Sequence, residues 1–134
     1  MTTEFELSVD ASSENLLNAF NLLAEHQVNL DTIATAKVDD KYVIKFLTGC
    51  EEECRRTFMK ADLPFTERKV LVVEMFNKPG QWMKAARALM AAGFNLEVSY
   101  LSGQKDNRLR FVFGVDDYEG AKQIIGQIAE YSVD

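Results

Sequence analysis

Histidine, tryptophan, proline and cysteine are all scarce in this chain: one, one, two and two among 134 residues. The single histidine, His26, has no grouping of Ser, Cys or carboxylates around it that would make a nucleophile and its base. Two cysteines, Cys50 and Cys54, are too few for a disulfide framework. Their spacing fits one helical face, but two thiolates without further Cys or His make a poor metal site. No metal, no cofactor and no catalytic residue are therefore expected. The sequence lacks an apolar run of about 18 residues, which excludes a transmembrane helix. Its first six residues, Met-Thr-Thr-Glu-Phe-Glu, form neither a basic n-region nor an apolar h-region, so a cytoplasmic location is expected. Cationic charge is also in deficit: 15 Lys and Arg face 21 Asp and Glu, a net charge of −6. Such a chain repels phosphate backbones and anionic lipid heads, so neither a nucleic acid nor a membrane is expected as partner. Lys105, Arg108 and Arg110 do cluster, with Asp106, Asp116 and Asp117 close by in sequence.

What is abundant is apolar character, 47% of residues, in an arrangement that recurs. Val28-Asn29-Leu30-Asp31 matches Phe94-Asn95-Leu96-Glu97 at a shift of 95 − 29 = 66. Carried backwards without a gap, the shift sets Phe5, Leu7 and Val9 on Leu71, Val73 and Met75, two alternating strands. It sets Leu16, Phe20 and Leu23 on Trp82, Ala86 and Leu89 at helical spacing. Carried forwards it needs one extra residue, expected in the turn at residues 103–107. Tyr42, Ile44 and Phe46 then fall on Leu109, Phe111 and Phe113, and Cys54 and Phe58 on Ala121 and Ile125.

Each copy reads as strand, helix, hairpin, helix, strand. The spans are residues 4–9, 13–26, 29–38, 42–47, 51–60 and 64–67 in the first copy, and 70–76, 80–92, 95–102, 109–115, 118–129 and 131–133 in the second. The expected fold class is α+β: two ferredoxin-like βαββαβ units in tandem, at residues 1–68 and 69–134, with helices packed on one face of antiparallel sheets. Only Arg68 and Lys69 separate the copies, and Pro64 is expected to place its strand at an edge or make it start late. Units this small bury too little surface alone.

The most informative stretch is Phe76-Asn77-Lys78-Pro79-Gly80-Gln81-Trp82, between a strand and a helix. Pro79 is expected in the first helical turn, where a missing N–H costs nothing. Gly80, without a Cβ, lets another group approach the backbone. Asn77 either caps the helix or holds a polar ligand atom. The free N–H groups of the first turn, with the helix dipole, suit a carboxylate. The same residues also suit a plain capped turn. In the first copy Asp10-Ala11-Ser12-Ser13-Glu14 stands instead, with Ser12 or Ser13 as N-cap and Glu14 where Gly80 lies, so that loop reads as structural.

Residues 70–101 resemble the first half of an ACT domain. The Val-Glu-Met-Phe-Asn-Lys-Pro-Gly-Gln-Trp-Met-Lys stretch is similar to that family's strand, Asn-x-Pro-Gly turn and helix, and Ala91-Ala92-Gly93-Phe94-Asn95-Leu96-Glu97 to the opening of its second strand. Through the repeat, the whole chain resembles a tandem ACT protein. The resemblance implies a non-catalytic regulatory protein that binds a small ligand, an amino acid or related carboxylate, at an interface between two such domains. Carried residue by residue, it implies ligand-binding roles for Asn77, Pro79, Gly80 and Gln81, with Phe94, Asn95 and Leu96 across from them. It also implies a homodimer and a partner enzyme that receives the signal. The alternative is an interaction module or regulatory subunit whose ligand site has decayed, which the altered first loop favours. Glu119, Lys122 and Glu130 read as solvated faces.

Overall fold

A computed structural model describes residues 1–128 and 130–134 of the chain. It has four helices and antiparallel strands, an α+β protein as expected. The elements, in order, are β1 (Thr2–Asp10), α1 (Ser13–Glu25), β2 (Thr32–Val38), β3 (Lys41–Leu47), α2 (Glu51–Lys60), β4 (Phe65–Phe76), α3 (Gln81–Ala91), β5 (Leu96–Lys105), β6 (Arg108–Val115), α4 (Tyr118–Gly126) and β7 (Ser132–Val133). Two compact units form, Thr3–Arg68 and Lys69–Asp134 with Met1–Thr2. Among the described residues, no helix is long and apolar enough to cross a membrane.

The core of unit Thr3–Arg68 is aromatic. Phe5 and Leu7 of β1 and Ile44 and Phe46 of β3 alternate onto one face, and Ala19, Leu23, Cys54 and Phe58 of the two helices close over them. Phe5 and Phe46 stack with ring centroids 5.6 Å apart, and Phe58 meets both edge-on at 6.4 and 6.0 Å. The core of unit Lys69–Asp134 is built from the shifted positions: Leu71, Val73, Met75 and Phe113 on strands, Ala85, Leu89, Ala121 and Ile125 on helices. Every one of these side chains is 4% exposed or less, so the two-residue and 3.6-residue periods both point at real interiors.

Helix ends follow their caps. Ser12 accepts a bond from Asn15 N–H and starts α1, and Asp117 accepts one from Gly120 N–H and starts α4. His26 is the C-cap of α1. Glu51 and Glu52 pair with Arg55, and Glu53 with Arg56, along the first turns of α2. Burial raises the Cys54 thiol to about 12, which suits its place in the core.

Four expectations need correction. The strands expected at residues 64–67 and 70–76 are one twelve-residue strand, β4, and Arg68 and Lys69 lie inside it. Pro64 does lie just ahead of it. The second strand of the first unit starts at Thr32, not at residue 29. The helix expected at residues 118–129 ends at Gly126, and Ala129 is outside the described residues. The extra residue of the second copy is not in the turn. Both hairpins turn through two residues, Asp39-Asp40 and Asp106-Asn107, with Asp39 and Asp106 at φ 54° and 55°. The extra residue is a bulge in β5, where Leu101 faces Phe111 but Gly103 faces Arg110. A bulge absorbs an insertion within a strand while keeping each flanking side chain on its own face.

Candidate functional site

The segment after β4 makes a type II turn, not the first turn of a helix. Gln81 N–H donates to Lys78 O at 3.3 Å, and Gly80 lies at φ 85°, ψ −6°. Pro79 supplies the fixed φ of the second position and Gly80 the left-handed third position, the combination that such a turn demands. Pro79 is therefore outside α3, and Gly80 is its N-cap. Asn77 does not cap the helix, because α3 has no side-chain cap bond. Its backbone N–H donates instead to Asn107 O at 2.8 Å, which ties the turn to the β5–β6 hairpin. Gly80 is required by its φ and not by crowding, since a Cβ there would meet nothing within 4 Å. Glu14 is no counterpart in conformation: it is the second residue of a helix that starts two aligned positions earlier than α3.

The first intrahelical bond of α3 runs from Lys84 N–H to Gly80 O at 2.9 Å. This leaves the N–H groups of Trp82 and Met83 without an intrahelical acceptor, at the positive end of the helix dipole. Around them lie groups that the sequence did not single out. Tyr131 Oη–H donates to Gln81 O at 2.6 Å, and Lys84 Nζ meets Glu130 Oε1 at 2.9 Å. That lysine, first by its hydrogen bond and then by its charge, holds the Glu130 carboxyl below the usual range; Gln81 also bonds it. Glu130 lies on a solvated face, as expected, and there it is ion-paired with Lys84 of α3. No local pattern could have found it, since 46 positions separate it from Lys84. The Gln81 Oε1 atom is buried without a hydrogen-bond partner among the described residues. Trp82 floors the region: its Nε1–H donates to Ser99 Oγ at 2.9 Å, and its ring stacks on Phe113 at 6.0 Å.

Residues 94–96 are elsewhere. Phe94 follows Gly93 at the C-terminal end of α3 and packs into the core against Gly120 of α4. Asn95 gives its backbone N–H and its side-chain amide to Asp116 at 3.0 and 3.1 Å. Leu96 opens β5 and is half-buried. An eleven-residue helix is about 16 Å long, so residues 77–81 and 94–96 stand at opposite ends of α3. Within one unit the structure does not bring the two sets together. Among the described residues, no three His, Cys, Asp or Glu side chains could hold a metal ion.

No family model matches the sequence, and no curated protein matches it. Solved structures do share the fold. A protein from Bacteroides thetaiotaomicron matches with a TM-score of 0.86 at 16% identity, over 99% of this chain and 93% of its own. The ligand-free regulatory subunit of aspartate kinase from Thermus thermophilus matches with a TM-score of 0.66 at 15% identity, over 96% and 93%. The regulatory subunit of aspartate kinase from Thermus flavus gives 0.61 at 14%, over 94% and 91%. The likeness spans both units and rests on backbone geometry at low identity, and it agrees with the motif at residues 76–82: the chain has the ACT-like fold of aspartate kinase regulatory subunits.

Proposed function

We propose that the chain is a non-catalytic regulatory protein, two ferredoxin-like ACT units in tandem at residues 1–68 and 69–134, that binds an amino acid at the start of α3. One observation carries the choice of ligand. The turn at Lys78 to Gln81 leaves the N–H groups of Trp82 and Met83 without an intrahelical acceptor, and the Glu130 carboxylate bonds to Lys84 and Gln81 of the same helix. An α-carboxylate suits the helix start, and an α-ammonium would share the Glu130 carboxylate with Lys84. A plain anion would meet Glu130 as a like charge, so a zwitterion is the better match.

The separation of residues 77–81 from Phe94, Asn95 and Leu96 sets the assembly. If both groups line one site, a second copy of the chain must supply one of them, and a closed homodimer does this twice over. Asn77, Pro79, Gly80 and Gln81 form the primary wall. The first unit lacks the Pro-Gly turn, and Ser12 and Glu14 occupy its helix start, so one kind of site per chain is the reading. Such a dimer would pass its ligand state to a partner enzyme; two of the similar structures are named as regulatory subunits of aspartate kinase.

A thermal-shift panel of the twenty amino acids tests the reading, because a ligand bound only by the folded state raises the midpoint. One or a few responders are expected, and the response should vanish in Glu130→Lys. A flat panel rejects the reading, as does a monomer in sedimentation with the responder present.

A further inference from the structure

A second feature lies on the same unit, where Asn107, the partner of the Asn77 backbone bond, lines a groove. The tip of the β5–β6 hairpin and the end of β4 enclose an open groove of about 670 Å³, lined among others by Phe76, Lys105, Asn107, Arg108, Leu109 and Arg110. This volume is within the range of about 300–1,000 Å³ that small-molecule sites occupy. The chain as a whole is acidic, yet among the described residues the groove is lined by Lys105, Arg108 and Arg110 against Glu74 and Asp106, three cations to two anions. Neither arginine is consumed by a close ion pair. Arg108 Nε stands 3.5 Å and Arg110 Nη2 4.0 Å from the one carboxylate they share, Glu74. The Arg108 guanidinium is laid over the Phe76 ring at 4.4 Å, with Lys78 Nζ 5.5 Å from the same ring. Stacking holds the planar fork in place and leaves its edge free for a bidentate acceptor.

We propose that this groove binds a small polyanion of the phosphate-ester class, gripped by Arg108 and Arg110 with Lys105 at the rim. A ligand with several negative charges engages all the cations at once, and the arginine forks match phosphate oxygens in pairs. The half-open groove leaves the ligand partly in water, so binding weakens with salt. The proposal does not rest on the amino-acid reading, since the residues concerned are different.

The test is calorimetric titration with inorganic tripolyphosphate at about 50 mM and about 500 mM salt, where the screening length falls from above 10 Å to well below it. Binding at low salt is expected, with a marked loss at high salt. Arg108→Gln with Arg110→Gln should lower the affinity about tenfold or more, as lost charge-assisted bonds do. Arg110→Gln alone, at a side chain 58% exposed whose loss leaves the core intact, should give a smaller loss in the same direction. Lys37→Gln with Lys60→Gln removes the same charge from exposed positions of the other unit and should leave affinity unchanged. Absence of binding overturns the proposal. So does an equal loss in the lysine control, which would mean attraction to bulk charge only. Tighter binding of an octaglutamate peptide than of tripolyphosphate overturns it too, and makes the groove a dock for an acidic protein segment. The amino-acid panel stands or falls separately, because the arginine variants leave residues 77–81 and Glu130 untouched.

Discussion

Replacing Gly80 separates the backbone role of the turn from its role toward a ligand. The residue sits at φ 85°, ψ −6°, and a Cβ would find nothing within 4 Å. Gly80→Ala therefore carries no steric term, only the left-handed penalty of an L residue, about 1–2 kcal/mol. Alanine also narrows the unfolded ensemble, which offsets the penalty by roughly 0.4–1 kcal/mol. The expected loss is about 1 kcal/mol. Urea unfolding followed by the emission of Trp82, the one tryptophan and a residue of the same unit, measures it directly. Gly93, at φ 90° and equally uncrowded at the other end of α3, is a matched control, and Gly93→Ala should cost the same. A loss above about 3 kcal/mol at Gly80 alone would refute the reasoning, because it would require a contact that open space denies.

The ligand role then follows from a pair of variants. Asn and Asp tolerate the left-handed region about equally and differ in charge. Gly80→Asn should keep most of the affinity for the responding amino acid, and Gly80→Asp should lose it, because the added carboxylate stands where the ligand's is expected. Equal affinities in calorimetric titration of the two would remove residues 77–81 from the site.

Three further outcomes are expected. Gly120→Ala should destabilise by about 1–3 kcal/mol despite the better helix former, since its Cβ would come within 2.5 Å of Asp117 Oδ2 and 2.8 Å of Phe94 Cζ; an unchanged urea midpoint would mean that the Phe94 ring yields freely. Near pH 8 a thiol reagent should modify Cys50 quickly and Cys54 only after unfolding, because burial pushes the Cys54 thiol up to about 12; two fast thiols would contradict the packing. Glu130, lowered by Lys84, contributes stability that is present above its ordinary value of 4.5 and is lost as pH falls through its lower folded value; carboxyl NMR should show that midpoint rise in Lys84→Gln, and a stationary midpoint would dissolve the pair.

The parts legible in the sequence are those governed by short periods and local chemistry. Alternation marked Phe5, Leu7, Leu71 and Val73, and helical spacing marked Leu23, Leu89, Phe58 and Ile125, because each side chain's face is set by its own position in the element. Ser12, one of the two N-cap candidates, announced a helix start for the same reason. Misreadings fell where two local solutions share one composition. Asn-Lys-Pro-Gly suits both a proline-started helix and a type II turn, and only the backbone, with Gly80 left-handed, decides between them. An extra residue fits a turn or a bulge equally well until strand register is known, and here Gly103 facing Arg110 fixes it as a bulge.

The candidate site was half legible, and the missing half has one physical character: it depends on distance across the fold. Lys84 and Glu130, Gln81 and Tyr131, Asn77 and Asn107 meet across 46, 50 and 30 positions, and no period in the chain carries such pairings. Residues 77–81 and 94–96 were grouped by the resemblance, as opposite walls of a site between two domains, and α3, about 16 Å long, sets them at its two ends within one unit. Sequence proximity across a helix is therefore evidence for separation. In a strand–helix–strand unit, the turn before the helix and the turn after it can share a ligand only when another surface brings a second copy of one of them near. That requirement follows from the rise of an α-helix alone, and it makes self-association a condition of the shared site rather than an addition to it.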